Sequence, residues 1–483
     1  MVWDGGRQLI TISDGAQVDA FGRLRTGQPF GVYESKLIST RKREHWEERL
    51  WGVILAHGTV TGPAFVVGNT VTGGTSGMTG TITAVGTGNI TVSVKNNDWT
   101  DGETLTSATS SAALTTHNTG ADLTYNYYSA SCTLSVGTVI GQRVVRQTDR
   151  YFPYVAGYSQ LINMTETFGA AKVGLRQTVM YGDDLNGYGL VLDNLTLNIL
   201  LRTNTSGTAV DTLIPQSTWN IDKLDGTGNS RVTLDPTKSQ ISGFDFQWLG
   251  VGRRRVALNI DGQLIAVHAI NHANHATGVY MRTPTLPVRY EIENKATTAS
   301  ASSLEQICCS VMSEAGYALP GEEFSVSHTW AQERTISTRA PVLALRLKTA
   351  FPTGQPNRRQ LRYLDIQGFT RLNDTMFELV HVHNPLTMTA TWADVDTGSS
   401  GAEYSVDISA LTAEHFHVVQ HLHVPASAGD KSNAVDITSE MVNQHSYVTQ
   451  NFESDNSQMF VIYATSRTAS AAVCAHFAFL ESE

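Results

Sequence analysis

Residues 244–270, FDFQWLGVGRRRVALNIDGQLIAVHAI, decide the fold class of this chain. Two runs of alternating apolar and polar residues flank the dipeptide Asp261-Gly262, which is typical of a two-residue type I′ β-hairpin turn. Alternation sends Val256 and Leu258 to one face of a strand, toward a core, and their neighbours to the other face, toward solvent or a partner. The stretch therefore predicts antiparallel β-structure.

The composition agrees with a β protein and disfavours nucleic-acid binding. Only 16% of the 483 residues are charged, the net charge is -10, and 41 glycines provide many turns. An acidic chain is a poor nucleic-acid binder, because phosphate neutralisation needs clustered Lys and Arg. No window approaches the length of a transmembrane helix and the first residues lack a signal-peptide stretch, so we expect neither membrane insertion nor export by a leader.

The four cysteines are too few and too scattered for a disulfide framework. They are Cys132, Cys308, Cys309 and Cys474. We expect all of them to be free thiols.

Runs of alternation and turn residues divide the chain into segments. We predict an extended N-terminal arm over 1–30, a short helix over 40–51, a main β-sandwich over 31–57 and 129–318, an inserted β module over 58–128, a polar linker over 319–341 and a C-terminal β-sandwich over 342–483. The fold expected is mostly β, with tandem jelly-roll-like sandwiches and a small inserted barrel.

The inserted module contains an imperfect repeat. The pattern Phe65-x-x-Gly68-x-Thr70-Val71-Thr72-x-x-Thr75-Ser76 recurs as Trp99-x-x-Gly102-x-Thr104-Leu105-Thr106-x-x-Thr109-Ser110. Two alternating runs lie between the copies. Repeated strand-turn units around two strands predict a small β-barrel or sandwich with Phe65 and Trp99 in equivalent core positions.

Several short sequence motifs resemble motifs in a family of virion structural proteins of tailed bacteriophages. They are DAFGRLR (19–25), QPF (28–30), SK (35–36), RQTDRYFPY (146–154), WNIDKLDGTG (219–228), DFQWLGVG (245–252) and LPVRYE (286–291). The resemblance spans about 10–57 and 129–318 in order. The C-terminal part is similar only in its strand pattern, and its HFHVVQHLHV stretch departs from the family.

The resemblance implies a structural component of a phage particle, at the tail or the tail–head region, made in the host cytoplasm. It implies no enzymatic activity and no cofactor. Low charge and wide β surfaces fit a homo-oligomer, trimeric or higher, that also contacts other virion proteins. Two alternatives stay open: a tail fibre or spike that binds a host receptor or surface glycan, and a capsid decoration protein.

The histidines invite a metal hypothesis. Residues two apart on a strand share a face, so His415, His417, His421 and His423 would place imidazoles on sheet faces, with His381 and His383 on another strand. A pH-sensitive contact surface competes with this hypothesis, because clustered histidines repel one another once charged.

Other candidate sites are weaker. Arg253 and Arg255 share one face of the hairpin strand and could contact an acidic partner or a glycan. Trp392 and Tyr404 would line a receptor groove if the C-terminal sandwich binds a glycan. The run 183–187 resembles a calcium loop but fits an Asx turn better, and the acidic residues of the 219–235 loop have no spacing that fixes a catalytic pair.

Overall fold

A computed structural model describes residues 2–4, 7–9, 30–36, 46–313, 321–352, 354–425, 433–436, 447–450 and 458–482. The chain forms two compact units, one of residues 1–148 and 154–318 and the other of residues 149–153 and 319–483. The N-terminal arm predicted over 1–30 falls mostly outside the described residues; within it, two short strands pair with each other.

The first unit consists of strands connected by turns. In chain order they are β1 (Val2–Asp4), β2 (Arg7–Leu9), β3 (Phe30–Lys36), β4 (Trp46–His57), β5 (Thr70–Gly73), β6 (Thr79–Gly86), β7 (Asn89–Val94), β8 (Thr104–Ser107), β9 (Ser110–Gly120), β10 (Asp122–Asn126), β11 (Ser131–Val136), β12 (Arg143–Thr148), β13 (Gln160–Thr167), β14 (Leu175–Gly182), β15 (Gly187–Asp193), β16 (Thr196–Thr203), β17 (Val210–Pro215), β18 (Gln240–Phe246), β19 (Arg254–Ile260), β20 (Gln263–Ile270), β21 (Val288–Asn294) and β22 (Ser302–Ser313). One 3-10 turn, Gln216–Thr218, follows β17.

Two antiparallel sheets of the first unit pack face to face as a β-sandwich. One has the order β10-β11-β22-β13-β18-β19-β20 with β3 beside β22, and the other runs β17-β16-β15-β14-β21-β12-β4 before it continues into the inserted module. Tyr181 and Tyr188 of the second sheet contact Phe246 of the first, with ring centroids 5.6 Å apart in both pairs. These aromatic side chains fill the space between the sheets, as expected for a jelly-roll sandwich core.

The hairpin predicted at Asp261-Gly262 is confirmed. Ile260 pairs with Gln263 across the turn, and Asp261 and Gly262 have φ of 52° and 78°, the two positive values of a type I′ turn.

The inserted module is a closed barrel, which confirms the predicted fold of this segment. Its strand order is β4-β7-β6-β5-β8-β9, and β9 pairs back onto β4. Phe65 and Trp99 are both buried, as the repeat predicts. Thr72 of the first copy pairs with Thr106, its counterpart in the second, so the copies meet in antiparallel fashion at equivalent residues.

The helix predicted over 40–51 is wrong in its described part, because residues 46–57 form strand β4. Trp46, Leu50 and Trp51 have the spacing of an apolar stripe on a helix, but residues from both faces of the strand are buried. Glu48 faces Arg146 of β12, and the two form a buried ion pair. Tertiary pairing on both edges of β4 overrides the local helical pattern.

The second unit contains strands β23 (Glu322–Ser327), β24 (Arg334–Ile336), β25 (Ala340–Leu347), β26 (Gln360–Arg371), β27 (Thr375–Thr389), β28 (Ala393–Asp394), β29 (Ala402–Ser405), β30 (Ser409–Val424), β31 (Asn433–Asp436), β32 (Tyr447–Val448), β33 (Met459–Ser466) and β34 (Ala471–Ser482). A 3-10 turn, Trp330–Gln332, lies between β23 and β24. Neither unit contains an α-helix within its described residues.

These strands make two six-stranded sheets around one core. The first sheet, which we call the groove sheet, has the order β23-β34-β26-β31 with β24 beside β34 and β32 beside β26; the second, the hairpin sheet, has the order β28-β29-β25-β33-β27-β30. Phe477 and Phe479 of the groove sheet pack in one core cluster with Phe377 and Phe460 of the hairpin sheet.

The linker expected over 319–341 is wrong for its described residues. Strands β23 and β24 pair with β34, and β25 begins at Ala340. The segment carries few large apolar residues because β23 and β24 lie at the margin of the sheet, where only Val326 and Ile336 of these strands are buried.

All four cysteines are thiols and none of them forms a disulfide, as predicted. In the part of the chain that the structure describes, no helix has the length and apolarity that crossing a bilayer requires.

Candidate functional site

A shallow groove lies on the outer face of the groove sheet. Strand β34 sends Val473, Ala475 and Phe477 into the core, so the alternate residues Cys474 and His476 point to the opposite face. This face carries a cavity of about 120 Å³ lined by Ser327, His328, Trp330, Gln367, Gly368, Phe369, Cys474, Ala475 and His476.

Trp330 is the most prominent side chain of the groove, and 71% of its surface is exposed. Its ring stands edge-on to Phe369, with centroids 4.9 Å apart and planes at 83°. The backbone beneath it is fixed by a capping box between Thr329 and Gln332, in which Gln332 Oε1 accepts a hydrogen bond from the backbone N–H of Thr329. The indole is therefore held in place although most of it faces water.

Three polar side chains form a row across the floor of the groove. Ser327 of β23 and Gln367 of β26 both pair in register with His476 of the central strand β34. The Gln367 amide nitrogen donates to Asp365 Oδ2 at 2.9 Å, which orients the amide group. Residues opposite one another on neighbouring strands stand about 5 Å apart, so one small ligand can contact all three.

The buried imidazole and thiol groups beside this row are uncharged. The backbone N–H of Ala475 donates to His328 Nδ1 at 3.2 Å, and burial lowers the pKa of that imidazole. Burial raises the pKa of the Cys474 thiol. Near the groove, Arg371 pairs through both Nε and Nη2 with Glu333, so their charges offset each other. The groove thus combines an aromatic face with hydrogen-bonding side chains, and the Asp365 carboxyl group lies beside them.

The four histidines proposed as metal ligands lie on β30 but on opposite faces of the hairpin sheet. His415 and His417 pair with His383 and His381, whereas His421 pairs with Glu378. The register shifts between these pairs, at a β-bulge next to Val418, and the extra residue moves the later histidines to the other face. Among the described residues, no group of three or more His, Cys, Asp or Glu side chains is placed to hold a metal ion. One ion shared by all four imidazoles is thereby excluded by the register.

The histidines on the two faces of the hairpin sheet contact different residues. His421 Nδ1 lies 3.7 Å from Glu378 Oε1, and Glu378 also accepts from Arg339 Nε at 2.6 Å. On the other face, His381 Nε2 lies 3.1 Å from Gln458 Oε1. All four β30 histidines are exposed.

The arginine pair predicted as one contact surface is split. Arg253 is exposed, but Arg255 is buried and its Nε donates to Asp245 Oδ2 at 2.8 Å. Arg254, between them, is fully buried in the sandwich. Only Arg253 of these three is available to a partner.

Trp392 and Tyr404 do not share a groove. Trp392 packs on an outer cluster of the hairpin sheet and its ring lies 3.9 Å from the Arg346 guanidinium carbon. Tyr404 packs on the inner core cluster, on the opposite face.

The acidic loops are structural. Asp183 Oδ1 accepts the backbone N–H groups of Leu185 and Asn186, which is the predicted Asx turn. Asp222 accepts from the backbone of Leu224 and Ser230, and Asp225 and Asp235 accept from Thr227 and Thr237. Each carboxylate closes its own turn.

Little in the sequence indicates the groove. Trp330 falls in a stretch without strand periodicity, and Gln367 and Phe369 belong to β26, a strand that the alternation did not reveal. An isolated tryptophan in a polar segment was the one usable signal.

No protein-family model and no curated protein matches this sequence. Solved structures with similar folds include a family 7 alginate lyase A1-II′ in complex with substrate, at 8% identity and a TM-score of 0.26 over 41% of this chain and 83% of that one. Another is the Bacteroides ovatus mixed-linkage glucan GH16 protein in complex with product, at 6% identity and 0.26 over 40% and 84%. A third is botulinum neurotoxin type C, whose cell entry depends on two ganglioside molecules, at 11% identity and 0.24 over 73% and 88%.

These likenesses concern the fold alone, which is mostly β with jelly-roll sandwiches, as predicted. One expectation is corrected. The inference that this chain lacks enzymatic activity is wrong. A β-sandwich without a recognisable catalytic motif does not exclude an enzyme.

Proposed function

We propose that this chain is a component of a tailed-phage particle and that its second unit binds a carbohydrate through the Trp330 groove. The observation that carries the binding proposal is a tryptophan fixed by its neighbours yet 71% exposed, beside a row of polar side chains.

The chemistry of the groove suits a sugar ring. A pyranose has an apolar face of C–H groups that an indole covers, and hydroxyls at its edge that need donors and acceptors. Ser327, Gln367 and His476 supply both kinds of group. Because the Asp365 carboxyl group lies beside Gln367 and Arg371 is already paired with Glu333, a neutral saccharide fits better than a strongly acidic one.

A preformed groove favours binding for a further reason. Trp330 is already ordered by Phe369 and by the capping box, so a ligand does not have to immobilise it. Covering the exposed indole also removes apolar surface from water, which is favourable by about 25 cal/mol per Å².

The placement in a phage particle is supported by the residues that resemble virion structural proteins, over 10–57 and 129–318. The location proposed is the tail or tail–head region, with a host-facing fibre or spike favoured by the groove. Antibodies to the chain should label the tail of purified particles in electron micrographs. Labelling of the capsid surface would instead support a decoration protein, and a chain missing from purified particles would refute the virion assignment.

Assembly into a homo-oligomer is supported by strand β30. It is the last strand of the hairpin sheet within the described residues, and it exposes Phe416 and Val418. Long apolar edge strands favour pairing with another chain. Light scattering of the purified chain should report a trimer or larger, and Phe416→Lys should reduce the mass; a monomeric wild-type protein would contradict this part of the proposal.

A glycan array tests the binding proposal directly. The full-length chain should bind a subset of neutral glycans saturably, and Trp330→Ala should abolish the signal. Trp392→Phe is the matched control, since it alters a tryptophan of the same unit on the other sheet. Equal binding by wild type and Trp330→Ala, or binding lost only in Trp392→Phe, would refute the groove as the site.

A further inference from the structure

The geometry points to a buried binding site for a small inorganic anion in the first unit, formed by Arg254, Tyr188 and Tyr280. Arg254 begins strand β19 and pairs with Phe246 of β18, whose ring lies in the sandwich core. The guanidinium carbon is 4.2 Å from the Tyr280 ring centroid and 5.4 Å from that of Tyr188. All three residues are buried, with 1%, 0% and 6% exposed for Arg254, Tyr188 and Tyr280.

Several hydrogen-bond donors in this place have no partner among the described residues. They are Nε and Nη1 of Arg254 and the hydroxyl groups of Tyr188 and Tyr280. Buried polar groups almost always have partners, so four such groups on three adjoining side chains require an explanation. A guanidinium can only donate, which means that whatever satisfies it must accept.

The remaining donor of Arg254 has a neutral partner. Nη2 donates to His272 Nε2 at 3.0 Å, and the His272 ring stacks on Tyr280 with centroids 4.0 Å apart and planes at 17°. Because Nε2 accepts this bond, His272 adds no negative charge. Burial and the nearby Arg254 lower the pKa of His272 to about 4, which agrees with a neutral ring.

No carboxylate neutralises Arg254 within the described residues. Asp245 lies on the same strand pair, but its Oδ2 accepts from Arg255 Nε. Burial lowers the pKa of Arg254 to about 10, a value at which the guanidinium is still charged at neutral pH. Removing a charged group from water without a counter-ion costs free energy. An anion that accepts hydrogen bonds from the donors of Arg254 offsets this cost.

The ligand class follows from size and charge. The three side chains are almost fully enclosed, so a monatomic anion such as chloride fits the site better than an organic acid. Phenol hydroxyls and guanidinium N–H groups are both donors to halides. The site is separate from the Trp330 groove, which lies in the other unit, and does not depend on the proposed function.

Anomalous X-ray diffraction from crystals that contain bromide locates such an anion. Crystals of the full chain grown in sodium bromide should show an anomalous peak within hydrogen-bond distance of Arg254 Nε or Nη1. Ordered water in that position, with no anomalous peak, would overturn the inference. This measurement uses the wild-type protein and does not depend on the folding of a variant.

Thermal unfolding gives an independent readout. At equal ionic strength, the chain should melt a few degrees (~2–4 °C) higher in sodium chloride than in sodium gluconate, because an anion that binds only the folded state stabilises it. Arg254→Met should remove this difference, while Arg253→Met, at the exposed neighbouring position, should keep it. Equal melting temperatures of the wild-type protein in the two salts would count against the site.

Discussion

Glu166 lies directly opposite Gln306 on the neighbouring strands β13 and β22, and both side chains are fully buried. Ser242 Oγ donates to Glu166 Oε1 at 2.5 Å, whereas Oε2 and both amide atoms of Gln306 have no partner among the described residues. Burial raises the pKa of Glu166 from 4.5 to about 8. The carboxyl group is therefore mostly protonated at neutral pH.

This raised pKa links stability to pH. Between pH 4.5 and about 8 the folded chain holds one proton more than the unfolded chain, so the free energy of unfolding should fall as pH rises, by about 1.4 kcal/mol per pH unit. The stabilisation is complete below pH 4.5 and is lost as pH rises through 8. Glu166→Gln, which cannot ionise, should remove this slope in urea unfolding curves recorded at several pH values.

The neighbouring carboxylate provides a control for the pH experiment. Glu305 lies next to Gln306 on β22 but is only partly buried, and Ser131 Oγ donates to it. Glu305→Gln should keep the wild-type slope. Parallel pH dependences of the wild type and Glu166→Gln would show that Glu166 is not the group responsible.

The ion pair between Glu48 and Arg146 should be essential to strand β4. Both side chains are buried, and the Arg146 guanidinium also lies 5.0 Å from the Trp46 ring centroid. Arg146→Met should destabilise the first unit by about 3–5 kcal/mol, because it removes one partner of a buried ion pair. Adding Glu48→Gln should recover part of the loss in denaturant unfolding; a double variant no more stable than Arg146→Met would refute this account.

The two repeat copies in the barrel should respond alike to the same substitution. Gly68 and Gly102 are equivalent positions with φ of 90° and 87°, and an added Cβ would meet no atom within 4 Å at either one. Alanine at each site should cost about 1–2 kcal/mol of stability, from backbone conformation alone. Gly58→Ala, where φ is not positive and the nearest atom is 3.9 Å away, should be nearly neutral. Clearly unequal costs at Gly68 and Gly102 would contradict the equivalence.

Phe369 should act on carbohydrate binding only by supporting Trp330. Phe369→Ala removes the ring against which the indole packs, an interaction of about 0.5–1.5 kcal/mol, so affinity should fall roughly two- to tenfold. Titration calorimetry with a glycan identified on the array measures the change. Leu372→Ala, at an exposed site just beyond β26, should bind as the wild type does. A loss as large as that of Trp330→Ala would indicate direct contact of Phe369 with the sugar.

Local patterns predicted the parts of the fold in which neighbouring residues determine the backbone. The turn at Asp261-Gly262 and the barrel repeat around Thr72 and Thr106 were readable because turn chemistry and alternation act over a few residues. Strand β4 has the local pattern of a helix, since Trp46, Leu50 and Trp51 satisfy the helical spacing. Its extended backbone depends on pairing with β7, β9 and β12.

The sites were much less predictable than the strands. A bulge next to Val418 separates histidines that the sequence places together, and one extra residue cannot be seen in a pattern of alternation. Conversely, Trp330 meets Phe369, and Arg254 meets Tyr188 and Tyr280, across separations that no local pattern connects.

By itself, the sequence determined that this protein is built from antiparallel strands, that a repeated segment forms a small β module, and that its cysteines make no disulfide framework. Short-range steric and hydrogen-bonding preferences are enough to fix these features. Only the tertiary structure decided which side chains are exposed together and which charges are buried without a partner. Those properties depend on register and on contacts between distant strands, where a shift of one residue exchanges the core face for the outer face.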